Sequence, residues 1–213
     1  SKQIDPSSDC VVQSYIDRPL LIDGKKFDLR VYALVVSCDP LRIYIYREGL
    51  VRLCTENYAN PTKGNIENQY IHLTNYAVNK HSDDYVESNS RDDEGSSSKR
   101  SLSWLMEWIV TESGDATLPN QVWASMSDVI VKTLISIQPT LAESYLSCKL
   151  DTEDRSPFTC FEVLGFDIIL DAALKPWLLE VNISPSLMGS SPLDREIKGT
   201  LMADIFHLVG FVP

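Results

Sequence analysis

The order of apolar and polar positions predicts strands in the N-terminal part of the chain. Residues 9–16, with the sequence DCVVQSYI, form a short apolar run that is typical of a buried strand. Three longer runs rich in β-branched and aromatic residues follow, separated by turn signals such as CDP and EG: Phe27–Cys38, Leu41–Arg47 and Leu50–Thr55. This spacing predicts an antiparallel meander.

The middle of the chain changes from extended to helical patterns. Residues 70–79 (YIHLTNYAVN) predict a short extended segment. Residues 81–101 mix serine with charges of both signs and contain almost no aliphatic side chains, which predicts a mobile loop. Apolar residues at helical spacing then predict one helix from about Leu102 and another over Val122–Ile137, which Pro139 kinks or ends.

The C-terminal part predicts a hairpin and a last helix. Two apolar runs, Phe161–Leu170 and Pro176–Asn182, are joined by a turn in the sequence DAALK. The last helix begins after Ser191 as its N-cap, has Pro192 at its first position, and runs to about Val209. Strands combined with helices in this order predict an α+β fold, an antiparallel sheet packed against helices.

The hairpin contains carboxylates where a core strand should be apolar. A register that pairs Leu170 with Lys175 places Asp167 opposite Leu178. Clustered carboxylates raise each other's pKa unless a cation lies between them, and Mg²⁺ binds one or two carboxylates together with substrate phosphates. Ordinary solvent-facing strand carboxylates are the alternative interpretation. Because side chains alternate along a strand, three oxygen donors share one face of the predicted hairpin: Asp167, Glu180 and Asn182.

A second polar face lies on the strand with the sequence KKFDLRVY. Lys26, Asp28 and Arg30 alternate with apolar residues and therefore share one side. Taken alone, this pattern is better explained by an ordinary half-buried strand with a salt-bridged face. Opposite a magnesium site, however, the two cations would suit phosphate and carboxylate oxygens, and Arg52 would converge on the same face.

Composition excludes several classes of protein. The formal net charge of -11 over 213 residues argues against nucleic acid or an anionic membrane as the main partner. No apolar run reaches the length of a membrane helix, so we expect a soluble chain. The five cysteines are widely spaced without a C-x-x-C pair, which argues against a disulfide framework and against a zinc site. The sequence also contains neither a Walker A motif nor a G-x-G-x-x-G motif.

Five motifs resemble, in order and spacing, the polyglutamylase branch of the tubulin tyrosine ligase-like enzymes. They are VVQSYIDRPLLIDGKKFDLRVYALV, PLRIYIYREGLVR, HLTNYAVNK, GFDIILD and LKPWLLEVNISPSL. The resemblance implies an ATP-grasp fold and an ATP-dependent ligase that joins glutamate to glutamate side chains of tubulin through an acyl phosphate. It also implies that residues 1–213 are the central and C-terminal lobes of a longer catalytic domain whose N-terminal lobe is missing, so that the piece is inactive by itself.

The resemblance assigns roles to individual residues. It implies that the catalytic groups are Arg30, which faces the reacting carboxyl, together with Arg52 and Glu180. Arg52, Tyr76 and Lys99 would bind the incoming glutamate, although Lys99 lies in the variable serine-rich segment. The ATP contacts would be the hinge residues Gln13, Ser14, Tyr15 and Ile16, followed by Lys26, Asp28, Thr74 and Asn75. Two magnesium ions would be bound by Asp167, Glu180 and Asn182, with Glu180 between them.

The expected partners follow from the same resemblance. They are free L-glutamate and the C-terminal tails of tubulin in microtubules, for a monomer in the cytoplasm and cytoskeleton, with the cilium or basal body as a further location. Two alternatives remain open: a non-catalytic microtubule-binding scaffold that retains the fold, and a ligase that adds glutamate to other proteins.

Overall fold

The computed structural model describes residues 10–88, 91–148 and 160–211. Its centre, within these ranges, is a six-stranded sheet in which every pair of neighbours is antiparallel. The strand order is β4-β3-β2-β5-β6, and β1 pairs with β2. The strands are β1 (Leu21–Ile22), β2 (Lys25–Cys38), β3 (Leu41–Leu53), β4 (Lys99–Ser101), β5 (Glu162–Leu170) and β6 (Pro176–Asn182).

Helices cover both faces of this sheet. They are α1 (Gln69–His72), α2 (Tyr76–Asn79), α3 (Leu102–Ser113), α4 (Leu118–Cys148) and α5 (Pro192–Leu208), and a 3₁₀ helix covers Arg91–Ser96. On one face, Phe27, Leu29 and Val31 of β2 pack against the apolar sides of α3 and α4. On the other face, Tyr32 and Leu34 pack against α5. The structure thus confirms the predicted α+β class, an antiparallel sheet packed against helices.

The N-terminal strands differ from prediction in two places. The DG turn joins β1 to β2 with positive φ angles at Asp23 and Gly24, as expected for a two-residue hairpin. The two predicted strands Leu41–Arg47 and Leu50–Thr55 form one continuous strand, β3. The predicted strand over residues 9–16 is wrong where the structure describes it, because residues 10–16 form no regular element and most of their side chains are exposed. Residue 9 lies outside the described ranges.

The register predicted for the hairpin is wrong. Leu170 pairs with Pro176, because Lys175 belongs to a turn in which Leu174 adopts a positive φ of 62°. A bulge next to Asp167 shifts the pairing again, so that Asp167 lies directly opposite Glu180 rather than Leu178. Gly165 lies opposite Asn182. The two shifts add up to two residues. Because side chains alternate between the faces of a strand, the three oxygen donors still share one face.

The structure also differs from the sequence predictions between β3 and α4. The segment predicted to be extended, residues 70–79, contains the short helices α1 and α2 instead. The segment predicted to be a mobile loop ends in strand β4, whose residues are buried, while the mobility of the rest stays a prediction. Pro139 does not end its helix, since α4 continues to Cys148.

Two further observations concern the cysteines and the length of the helices. Cys10, Cys38, Cys54 and Cys160 are free thiols. Of the helices within the described ranges, none combines the length and the apolar character that a bilayer-spanning segment needs.

Candidate active site

Strand register brings together four charged residues that are distant in the sequence. Asp28 of β2 lies opposite Arg52 of β3, and Arg30 of β2 lies opposite Asp167 of β5. Arg30 donates to both Asp167 oxygens, at 2.5 Å from Nε and 3.1 Å from Nη2. Arg52 donates to both Asp28 oxygens and also lies 2.9 Å from Asp167 Oδ2. The result is a nearly buried chain of alternating charges, which we call the charge network.

The charge network favours the ionised forms of Asp167 and Arg52. Burial raises the pKa of Asp167, but hydrogen bonds and charge attraction from Arg30 and Arg52 outweigh that effect and lower the pKa below its ordinary value. Burial likewise lowers the pKa of Arg52, and the carboxylates of Asp28 and Asp167 more than compensate and raise it. Buried ion pairs of this kind are costly to break, because removing one partner leaves an unpaired charge.

One cavity opens on the Asp167 side of the charge network, with a volume of about 500 Å³. We call it the hinge cavity. Six of the predicted nucleotide and metal residues line it together with Asp167: Tyr15, Lys26, Asp28, Thr74, Asn75 and Glu180.

Lys26 is held in place inside the hinge cavity. Its Nζ donates to the backbone carbonyl of His72 at 2.9 Å and to the Tyr15 hydroxyl at 3.3 Å. Burial lowers the pKa of Lys26, and its neighbours, Asp28 among them, offset this only in part. The ammonium group is therefore fixed at the wall of the cavity with part of its hydration removed.

The predicted hinge residues are only partly gathered at this cavity. Tyr15 lines it, and Gln13 donates from Nε2 to the carbonyl of Leu179 at 3.2 Å. Leu179 is itself a lining residue. Ser14 is exposed, and Ile16 lines a separate cavity beside Trp177.

The predicted metal ligands offer oxygen donors, but not a cluster of acids. Within the described ranges, no group of three or more His, Cys, Asp or Glu residues could hold a metal ion. The predicted set comprises two carboxylates and one amide, with Asn182 Nδ2 donating to Glu180 Oε1 at 3.2 Å. That contact leaves the amide oxygen of Asn182 directed elsewhere. Glu180 is exposed, and Asp167 retains one lone pair, on Oδ1, beyond the three that face the arginines. This donor set fits Mg²⁺ completed by phosphate and water.

A second cavity, of about 550 Å³, lies on the Arg30 and Arg52 side of the charge network. Asn75 lines both cavities, so they adjoin. We call the second one the cation cavity, because five basic side chains line it against the single carboxylate of Asp194: Arg30, Arg52, Lys80, Lys99 and Lys198. Tyr76, the third residue predicted to bind glutamate, lines it as well.

Lys99 occupies a defined position in the cation cavity. It is buried, its Nζ donates to Asp194 Oδ2 at 2.7 Å, and it lies 3.9 Å from the centroid of the Tyr76 ring. Such a cation–π contact adds about 0.5–2 kcal/mol of attraction. The structure therefore brings Lys99, predicted from a variable segment, next to Arg52 and Tyr76.

Sequence reasoning missed three residues of these cavities. His72 is buried in the wall of the hinge cavity, with Nδ1 3.0 Å from the Tyr15 hydroxyl and with no partner for Nε2 in the part of the chain that the structure describes. Asp194 and Lys198 belong to the cation cavity. The spacing of Asp194 and Lys198 on one helix was a usable signal, whereas the contact of Asp194 with Lys99, 95 residues away, was not.

A different depression is larger than either cavity. It has a volume of about 640 Å³ and lies between the first half of α4 and the turn that joins β5 to β6. None of the predicted site residues lines it.

Comparison with known proteins identifies the family of this chain. The model of the tubulin-tyrosine ligase family matches residues 1–213. The tubulin polyglutamylase TTLL13 of Mus musculus is 47% identical over 98% of the chain, and ttll6 of Danio rerio is 47% identical over 98%. A protein named probable beta-tubulin polyglutamylase of Tetrahymena thermophila is 45% identical over 97%. The chain spans 25%, 26% and 17% of the lengths of these three relatives. Sequence and fold together lead to one conclusion: this chain belongs to the tubulin-tyrosine ligase family.

Proposed function

We propose that this chain carries the reaction centre of an ATP-dependent ligase that adds glutamate to glutamate side chains in tubulin tails. The observation that carries the proposal is the charge network between two adjoining cavities, one with oxygen donors for a metal and one lined by basic groups. The names of the relatives, which are tubulin polyglutamylases, support the choice of substrate. We propose this activity for the complete protein that the gene encodes.

In this proposal the hinge cavity binds Mg-ATP. Lys26 and Asp28 contact the nucleotide, Thr74 and Asn75 add polar contacts, and the hinge segment around Tyr15 lies beside the base. Asp167, Glu180 and Asn182 would hold magnesium, for which we expect two ions. Bound magnesium would neutralise phosphate charge and orient the terminal phosphoryl group.

The reaction then proceeds in two balanced steps. An oxygen of the acceptor carboxylate attacks the terminal phosphorus of ATP, so that ADP leaves and an acyl phosphate forms. The deprotonated amine of glutamate attacks the acyl carbon, inorganic phosphate leaves, and an amide bond remains. Arg30 would stabilise the negative charge of the acyl phosphate, because preorganised donors act most strongly on charge that develops in a buried site.

The cation cavity would hold the incoming glutamate. Arg52 and Lys99 suit its carboxylates as cationic donors. The Nε and Nη2 groups of Arg52 already donate to Asp28, so Arg52 would offer Nη1, and Lys acts as a point charge. Tyr76 would pack against the aliphatic part of glutamate. We add Lys198 to the residues proposed to bind glutamate because it lines the same cavity. A cavity with five basic groups favours an amino acid with a second carboxylate over glycine or tyrosine.

The proposal also covers partner and place of action. The acceptor is an acidic C-terminal tail of tubulin in a microtubule, and the protein acts as a monomer at the cytoskeleton in the cytoplasm, including the cilium or basal body. An acidic tail can approach a chain of net charge -11 because exposed charges beyond about 8 Å are screened at physiological salt.

The decisive test is ATP-dependent incorporation of labelled amino acid into microtubules by the protein as encoded. We expect incorporation of glutamate and none of glycine or tyrosine. Transfer of glycine or tyrosine instead would overturn the assignment of the amino acid. Binding to microtubules without any transfer would indicate a scaffold, and transfer only to other proteins would change the acceptor.

The metal assignment is tested by Glu180→Gln. The amide keeps the size of the side chain but loses the charge that would bind magnesium, so we expect incorporation to fall at least a hundredfold. Glu162→Gln is the matched control, because Glu162 is an exposed glutamate of the same hairpin, at the far end of β5. Near wild-type incorporation by Glu180→Gln would rule out Glu180 as a metal ligand.

A further inference from the structure

Asp194 is the one carboxylate among the described residues that line the cation cavity, and it is fully buried. It is 0% exposed, although it lies near the start of α5, where a side chain normally reaches water. Its Oδ2 accepts from Lys99 Nζ at 2.7 Å and from Ser190 Oγ at 2.5 Å. Its Oδ1 lies 3.2 Å from Lys198 Nζ. One carboxylate therefore contacts lysines from two elements, β4 and α5.

The two lysines reach the cavity in fixed positions because of these contacts. A lysine side chain is flexible and carries about 2 kcal/mol of rotamer entropy, so it needs partners to present its charge at one point. Lys99 has Asp194 and the Tyr76 ring as partners, and Lys198 has Asp194 and the backbone carbonyl of Met188 at 2.7 Å. Asp194 is the partner that they share.

Removing the shared carboxylate would leave two nearly buried ammonium groups facing each other. The charged groups around Lys198 are Asp194 on its own helix, Lys99 from β4 and Arg30 from β2. Lys80, beyond α2, lines the same cavity. All of these neighbours except Asp194 are cationic, so Asp194 is the group that opposes their repulsion.

We propose that Asp194 is a positioning residue of the amino-acid site, which holds Lys99 and Lys198 at a fixed spacing for a substrate with two carboxylates. Asp194 itself does not touch the substrate, since it has no exposed surface. The inference rests on the proposed function, because it assigns the cation cavity to the incoming amino acid. It predicts that Asp194 affects binding of the amino acid and leaves binding of ATP unchanged.

The test is Asp194→Asn in the protein as encoded, with incorporation measured against glutamate and ATP concentration separately. Asn keeps the shape and one acceptor but loses the charge, and charge-assisted hydrogen bonds are about twice as strong as neutral ones. We expect the KM for glutamate to rise about tenfold or more, while the KM for ATP changes less than about twofold. Asp204→Asn, an exposed position on the same helix, should leave both constants at their wild-type values.

A measurement that does not depend on enzymatic turnover distinguishes a failure of this inference from a failure of the proposed function. Burial lowers the pKa of Lys198. This pKa can be followed by competitive chemical labelling and mass spectrometry. It should fall further in Asp194→Asn and stay constant in Asp204→Asn. Wild-type protein that transfers no glutamate would refute the proposed function. An unchanged Lys198 pKa, or equal rises of both KM values, would overturn the role of Asp194.

Discussion

At the scale of the residue, the charge network depends on a position without a side chain. Gly165 of β5 lies between Arg30 and the loop that follows β6. A Cβ atom there would come 2.9 Å from Pro185 Cβ, 3.1 Å from Arg30 Cδ and 3.3 Å from Arg30 Nε. The glycine therefore allows the Arg30 side chain to lie flat against β5 on its way to Asp167.

Gly165→Ala should consequently impair catalysis more than folding. The added methyl group would push Arg30 away from Asp167, and we expect glutamate incorporation to fall at least tenfold. Overpacking of this size costs about 1–3 kcal/mol of stability, which a folded domain tolerates. Gly199→Ala is the matched control, because its Cβ would meet nothing within 4 Å and helix α5 would gain about 0.5–1 kcal/mol. Equal activity of the two variants would contradict the role of Gly165.

At the scale of the element, α5 joins the site to the fold. It covers one face of the sheet through Leu201 and Ile205 and carries Asp194 and Lys198 into the cation cavity. Its first turn is fixed by Ser191, whose buried hydroxyl accepts from the backbone N–H of Asp194 at 3.1 Å. The position of the Asp194 carboxylate thus depends on the N-cap Ser191, which was predicted from the sequence.

Ser191→Ala should therefore destabilise the chain by about 1 kcal/mol, the usual cost of losing an N-cap. Urea unfolding measures this change, and hydrogen exchange locates it in the first turn of α5. Ser136→Ala, an exposed serine inside α4, should change the free energy of unfolding by no more than about 0.5 kcal/mol. If both variants unfold at the same urea concentration, the cap does not hold α5.

Some elements could be predicted from patterns in the sequence, whereas the hairpin register and strand β4 could not. Long alternating or periodic runs predicted β2, the hairpin strands, α3 and α4, because each buries a regular apolar face, and capping residues predicted α5. The register of the hairpin could not be predicted, since it depends on the positive φ of Leu174 and on a bulge. Strand β4 escaped prediction because its polar residues are buried by partners distant in the sequence, such as Asp194 for Lys99.

At the scale of the whole molecule, the site is a product of strand order. The β4-β3-β2-β5-β6 order, with its register, places the proposed site residues of β3, β2, β5 and β6 side by side. Motifs predicted most of the residues that line the two cavities, but not that Arg52 would bridge Asp28 and Asp167, because that contact requires the register of three strands. Nor did composition predict a cation cavity, since a formal charge of -11 averages over the whole chain.

The buried carboxylates predict how the stability of the whole molecule depends on pH. Burial raises the pKa of Asp167 and of Asp194, but their cationic partners outweigh it and hold both below the ordinary value of 3.8. As the pH falls through this range, the unfolded chain binds protons that the folded chain does not, so the free energy of unfolding decreases. The stabilisation is fully present above the ordinary value and is lost as the pH falls through the folded-state pKa values.

Urea unfolding of the full chain at pH 5 and pH 3 should show this loss. Asp194→Asn removes one of the two groups, so its free energy of unfolding should change less between the two pH values than that of the wild type. Asp204→Asn, which removes an exposed carboxylate from the same helix, should keep the wild-type dependence. An identical pH dependence in wild type and Asp194→Asn would mean that Asp194 is not held ionised by its lysines. We expect the pH dependence of the two proteins to differ, because the ammonium groups of Lys99 and Lys198 lie within 3.2 Å of the Asp194 carboxylate oxygens. The Asp194 side chain also has no exposed surface.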